Sequence, residues 1–187
     1  HQIATSDTER SVALDRAARS NRLAMTDALT GLLNRYALDR DLPQLPPEGS
    51  LTFIDLDGLK RYNDEHGHAR GDELLTGFSK HLTVTLAGRA ALYRVSGDEF
   101  AVTCATGDLQ HVAEAIARAV GALQQQGFEL AGASHGSVRR HETESLEHLK
   151  RAADRRMYQE KASRKSPGIQ PIVPPPSTRE PPRRTPG

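Results

Sequence analysis

The sequence predicts an α/β fold of the α+β kind: a central, mainly antiparallel sheet wrapped by helices. Three observations carry that prediction. Apolar runs of strand length alternate with segments of helical periodicity, in the order strand, helix, helix, strand, strand, helix, strand, helix. Two of those strands, "ALYRV" and "FAVTC", flank a tight Ser-Gly-Asp-Glu centre, so a hairpin interrupts the α/β units and imposes antiparallel pairing. About 140 residues between a charged N-terminal stretch and a proline-rich tail are ample for one core.

The elements follow in order. Residues 6–26 are charged and helix-prone, and Leu14, Ala18, Asn21 and Met25 keep a/d heptad spacing. Residues 1–25 therefore read as a signalling or linker helix, although a plain surface helix has the same pattern. In "TDALTGLLNRYALDRDL", Thr26 or Asp27 can cap a helix start and Gly31 marks a break. "LTFIDLD" is a buried strand whose acidic end meets solvent. "GLKRYNDEHGHARG" reads as a short helix and turn. Leu74, Leu75, Phe78, Leu82 and Leu86 define a helix from Asp72, and Val112, Ala115, Ile116, Ala119, Val120 and Leu123 define another. "FELAGASHGSV" is a strand interrupted by glycine. Leu146, Leu149, Ala153 and Met157 line a last helix ending near Lys161. Eight of the 11 prolines lie beyond residue 166, so 166–187 reads as a disordered tail.

Composition narrows the function. The formal charge of +1 on 187 residues gives no electrostatic case for nucleic acid. No apolar run approaches the ~18 residues needed to cross a membrane. One cysteine, Cys104, fits a reducing, cytoplasmic compartment. The start at His1, without a signal peptide or an initiator methionine, predicts a fragment whose N-terminal sensory part is missing.

The chemistry gathers at acids. Asp55 and Asp57 close a buried strand, where a bare carboxylate needs water, a partner or a cation. Asp98 and Glu99 follow the hairpin turn. If the first strand lies beside that hairpin, the two pairs meet, and oxygen-only ligands suit Mg²⁺ shared with substrate phosphates. Two unrelated solvated turns fit the same spacing. Asn63 and Asp72 can pair with a guanine edge, or simply cap helices. Lys60, Lys161 and Lys165 can act as point charges for phosphate, or stand solvated. His66 and His68 lack the partners zinc needs, and no G-x-x-x-x-G-K-[ST] phosphate loop is present.

Five segments in order resemble the GGDEF domain, the diguanylate cyclase family, over residues 26–165: "DALTGLLNR", "FIDLDGLKRYNDEHGHARGDELL", "YRVSGDEF", "ASHGSV" and "ADRRMYQEK". The resemblance implies a sheet related to polymerase palms and nucleotidyl cyclases. It implies condensation of two GTP into cyclic di-GMP and two pyrophosphates, with a homodimer presenting two facing sites. It also implies two divalent ions, Mg²⁺ or Mn²⁺, per site. By position, Asp55, the Leu56 carbonyl, Asp98 and Glu99 match the metal site, and Asp98 the base for the 3′-hydroxyl. Asn63 and Asp72 match the guanine readers, Leu75 the apolar wall under the base, and His68 a substrate-proximal position. Lys60 matches a lysine that stabilises the transition state, and Lys161 and Lys165 the β/γ-phosphate cations. The amides near Gly58 and Leu59 should face phosphate.

Three departures stand out. Ser96 replaces the first glycine of the signature, at a cost of ~1 kcal/mol or more if that position needs φ > 0. The Arg-x-x-Asp inhibitory motif of many members is Ala87 and Ala90 here, which predicts no product inhibition through that site. Only a short stretch separates Arg35 from the first strand, so the first helix should be trimmed, and His135 stands where an apolar residue is expected.

Overall fold

A computed structural model describes residues 24–165, and the side chains of 24–164. The signalling helix expected over 1–25 thus lies almost wholly outside the described residues, as do the proline-rich tail and the side chain of Lys165. The elements are β1 (Leu33–Asn34), α1 (Arg35–Asp41), β2 (Ser50–Asp57), α2 (Leu59–His66), α3 (His68–Thr85), β3 (Ala90–Ser96), β4 (Glu99–Cys104), α4 (Leu109–Gln125), β5 (Gly132–Arg139) and α5 (Leu146–Lys165). Single 3₁₀ turns follow α1 and β5. The sheet order is β1-β3-β4-β2-β5. Among the described residues only β1 pairs parallel, with β3, and the other pairings are antiparallel, as the hairpin required.

β2 is buried on both faces because β4 and β5 flank it and helices cover both sides. Its residues alternate between two cores. Ile54 and Leu56 join Phe78, Phe100 and Val112 beneath α3 and α4, where the Phe78 and Phe100 rings meet edge to face at 5.2 Å. Leu51 and Phe53 join Leu38, Ala101, Val138, Leu149 and Ala153 beneath α1 and α5. Asp55 continues this second set, so the sheet delivers its carboxylate to the α5 side. Among the described residues no helix is long and apolar enough to cross a membrane.

Several expectations change in detail. Asp27 heads a turn closed by Gly31 at φ 72° rather than a helix. The helix cap is Asn34, whose side chain accepts from the Ala37 amide at 3.1 Å. α1 is then only seven residues long, the expected trimming. Gly71 is not a turn: it lies inside α3, which begins at His68, and Gly67 alone separates α2 from α3. α5 runs to Lys165, one turn past its expected end. His135 is satisfied at the sheet, its Nδ1 3.1 Å from Glu160.

Candidate active site

β2 leaves the sheet at Asp57 and turns through Gly58, whose φ of 96° is left-handed. A side chain there would meet the Leu130 carbonyl at 3.2 Å as well as being strained, which is why glycine occupies the turn. α2 then starts at Leu59. Tyr62 fixes its direction: the ring is buried edge to face with Phe128 at 5.2 Å, and its hydroxyl accepts from the Leu130 amide at 3.0 Å. A cleft of about 660 Å³ opens at this β2–α2 turn. Its walls include Asp55, Leu56, Gly58, Leu59, Lys60, Asp98 and Lys161.

The hairpin closes one side of the cleft. β3 and β4 are joined by Gly97 and Asp98, with an extra residue at Val95 that re-aims the strand end, as bulges do. Gly97 takes the positive φ, 36°, and Ser96 does not, so the serine brings no backbone strain. The Leu56 amide donates to the Asp98 carbonyl at 2.9 Å, seating the turn beside Asp55. Glu99 lies opposite Asp55 in the β2–β4 register. Asp55, Asp57 and Asp98 therefore meet in one cleft, at the strand ends of the sheet interior rather than at an outer strand.

Charge in the cleft is unevenly neutralised. Lys161, on α5, donates to Asp55 Oδ1 at 2.6 Å. Partial burial lowers its pKa, but the Asp55 bond and the charges of Asp55, Asp98 and Asp57 outweigh that, so its ammonium is held above the usual lysine range. Asp98 moves the other way for an acid. Burial raises its pKa, and the charges of Asp55 and Glu99 raise it further against the pull of Lys161. Hard oxygen donors with surplus negative charge suit a divalent cation. Among the described residues no three His, Cys, Asp or Glu side chains converge as a complete cage, so an ion here would need oxygen donors from elsewhere as well. Mg²⁺ takes such donors from substrate phosphates. The residues fit such an ion.

The other expected residues lie elsewhere. Asn63 lies across the α2–α3 junction from Gly71, the residue before Asp72: a side chain at Gly71 would fall 2.9 Å from Asn63 Cγ and closer to its Oδ1. Asp72 and His68 are exposed on α3, whereas Leu75 is a core side chain with 3% of its surface open. Glu99 turns from the cleft to accept from the Ser96 hydroxyl at 2.6 Å.

Two functional contacts escaped the sequence reading. Arg94 donates to the Gly97 carbonyl from Nε at 3.0 Å and Nη2 at 2.8 Å, and reaches Asp27 Oδ1 at 3.1 Å. It thereby braces the signature turn against the opening segment. An arginine three residues before a hairpin glycine, with an acid in the opening motif, was the available signal. Arg164 donates to the Ala133 carbonyl, anchoring the end of α5 near the cleft. No local pattern marked it.

Residues 24–167 match the family described as diguanylate cyclase, GGDEF domain. Among curated relatives, diguanylate cyclase VdcA of Vibrio cholerae is 32% identical over 159 residues, 79% of this chain and 47% of that protein. Diguanylate cyclase DgcS of Shewanella oneidensis is 33% identical over 150 residues, 75% of this chain and 50% of that protein. The chain thus spans about half the length of these relatives. Among solved structures, the coiled coil and GGDEF domain of DgcB from Caulobacter crescentus, in complex with c-di-GMP, aligns with a TM-score of 0.73. It covers 88% of this chain and 93% of that one, and its 23% identity speaks for the fold alone. A sensory box/GGDEF family protein from Caulobacter crescentus CB15 is 34% identical with a TM-score of 0.57, over 74% of this chain and 99% of that one. With a family match over most of its length and the signature hairpin seated beside Asp55, the chain belongs to the GGDEF domain family of diguanylate cyclases.

Proposed function

We propose that this chain is an active diguanylate cyclase that condenses two GTP into cyclic di-GMP and two pyrophosphates. One observation carries the reading: Asp55, Asp98, Lys60 and Lys161 line one cleft at the β2–α2 turn, two acids and two cations at one place. Phosphoryl transfer is mainly positioning and charge neutralisation, and these are the groups it uses.

Divalent ions, Mg²⁺ or Mn²⁺ and two per site, would supply Lewis-acid polarisation of the phosphates and lower the pKa of the attacking hydroxyl. Asp55, Asp98 and the Leu56 carbonyl would hold them, with Glu99 as a further oxygen donor. The raised pKa of Asp98 suits a base that takes the 3′-hydroxyl proton. Lys161 has a second partner once triphosphate enters: it can leave Asp55 for phosphate oxygens, joined by Lys165. Lys60, exposed at the first turn of α2, stabilises charge developing on the transferred phosphoryl group. The left-handed Gly58 turns the chain so that the first amides of α2 open on the cleft, the positive end of the helix dipole.

Asn63 and Asp72 would read guanine across the α2–α3 junction, the carboxylate accepting from N1 and N2. His68 is the first residue of α3, the helix that carries Asp72, and Leu75 would back the base through the helix surface. Each domain holds one GTP, so turnover requires two copies with facing sites. Ala87, before β3, and Ala90, its first residue, leave no Arg-x-x-Asp motif there, and product inhibition through it is absent. The substrate places the activity in the cytoplasm.

The test is cyclic di-GMP formation from GTP and Mg²⁺, followed against protein concentration. The reading predicts product, at a rate per protomer that rises with concentration. GTP bound without product would instead make the chain a GTP-binding regulatory module.

A further inference from the structure

Ser96 and Glu99 face each other across the two-residue turn because the extra residue at Val95 brings them into register. The Ser96 hydroxyl donates to Glu99 Oε2 at 2.6 Å, the short separation of a charge-assisted bond. Backbone strain does not explain the serine, since its φ is not positive. Its hydroxyl is the feature that bears on the neighbouring acid.

That bond coincides with an unexpected placement. Glu99 is opposite Asp55 in the sheet, yet it lines a groove between α1 and α5 with Arg35, Leu38 and Lys150. Asp55 and Asp98 line the separate cleft at the β2–α2 turn with Lys161. We infer that Ser96 is a positioning residue: its hydroxyl holds the Glu99 carboxylate away from the Asp55–Asp98 centre and so weakens that centre's hold on a divalent cation. This inference rests on the proposed metal-dependent reading of the cleft, and deepens it.

The size of the effect follows from linkage. For Glu99 to turn toward a cation, its bond to Ser96 must break or be shared. The strength of that bond is then subtracted from cation affinity. One exposed hydrogen bond, its charge screened by solvent to ordinary net strength, corresponds to roughly a fivefold change in an equilibrium constant. Removing the hydroxyl should tighten cation binding by about that factor.

The experiment uses the full chain with 3′-deoxy-GTP, which lacks the attacking hydroxyl, so nothing turns over. Mn²⁺ is titrated and bound ion is read by electron paramagnetic resonance. The variants are S96A, which removes the hydroxyl without adding backbone freedom, S96G, and S96T, which keeps a hydroxyl. Thermal unfolding checks that each is folded. The expected result is a Mn²⁺ dissociation constant about fivefold lower in S96A and S96G, and within about twofold of the parent in S96T. In an E99Q background, S96A should no longer shift it. A dissociation constant unmoved or raised in folded S96A, with Mn²⁺ still bound, overturns the role of Ser96 alone. If Mn²⁺ does not bind the parent with nucleotide present, the metal reading of the cleft falls and this inference falls with it.

Discussion

Replacing Gly136 with alanine sets the backbone of β5 against that of α5. Gly136 pairs with Phe53 in β2 and lies under the middle of α5. An added Cβ would stand 2.9 Å from the carbonyl carbon of Arg156, and nearer still to the Ala153 carbonyl oxygen and the Met157 amide nitrogen. Ordinary carbon contacts lie at ~3.5 Å or more, so the helix must withdraw by ~1 Å. None of those atoms is the movable end of a side chain. Overpacking costs typically ~1–3 kcal/mol, and a clash against helix backbone belongs at the upper end, about 3 kcal/mol. For a domain of this size that is a fall in Tm of roughly 6 to 12 °C. The shift also reaches the cleft, because α5 carries Lys161, whose 2.6 Å bond to Asp55 does not survive an ångström of withdrawal unless its side chain follows. G136A should therefore lose stability in urea and lose cyclase activity together. The control is G121A on α4, where an added Cβ meets nothing within 4 Å. Removing a helix glycine there should stabilise by about 0.5–1 kcal/mol. A G136A protein as stable as its parent, with unchanged activity, would refute the close-packing argument.

Three further outcomes follow from the same geometry. G71A pushes on the Asn63 amide, a side chain that can rotate away, while alanine improves the helix; stability should stay within about 1 kcal/mol, and the KM for GTP should rise about tenfold with a smaller change in kcat. D27N removes the acid that joins Thr30 and Arg94. Burial pushes Asp27 up, but its Thr30 and Arg94 bonds hold it below its ordinary 3.8, so its stabilisation is present above that value and is lost as pH falls through the lowered one. D27N should cost about 1–2 kcal/mol at pH 7 by denaturant titration, and the gap from the parent should close as pH falls through the lowered Asp27 value. Asp98 has the opposite sign: its raised pKa makes its contribution favourable below 3.8 and lost as pH rises through the raised value. D98N should thus be at least as stable as the parent at pH 7 while giving no product; a markedly destabilised D98N would contradict the crowding of charge in the cleft.

Legibility in the sequence followed how local each determinant is. β2, the β3–β4 hairpin and α4 were readable because periodicity and turn residues are written within a few positions. The meeting of Asp55 with Asp98 needed only the inference that β2 pairs with β4, and the register bears it out. The start of the domain was misread because Asp27 has the chemistry of a cap but is used to close a turn, with Asn34 capping instead. Gly71 ends a stretch that reads as helix and turn, yet it sits inside α3, where its missing side chain makes room for Asn63 from another helix. The acidic partners of Arg94 and Lys161 lie 67 and 106 positions away, beyond any local sequence window. The Ser96 question turned on a dihedral angle that composition does not encode, and Gly97 carries it.

The most direct test of the account is cyclic di-GMP production from GTP and Mg²⁺ by the parent chain beside D98N. The account predicts product from the parent, with a rate per protomer that climbs with protein concentration, and none from folded D98N. A parent chain that binds GTP and forms no cyclic di-GMP at any concentration would contradict it.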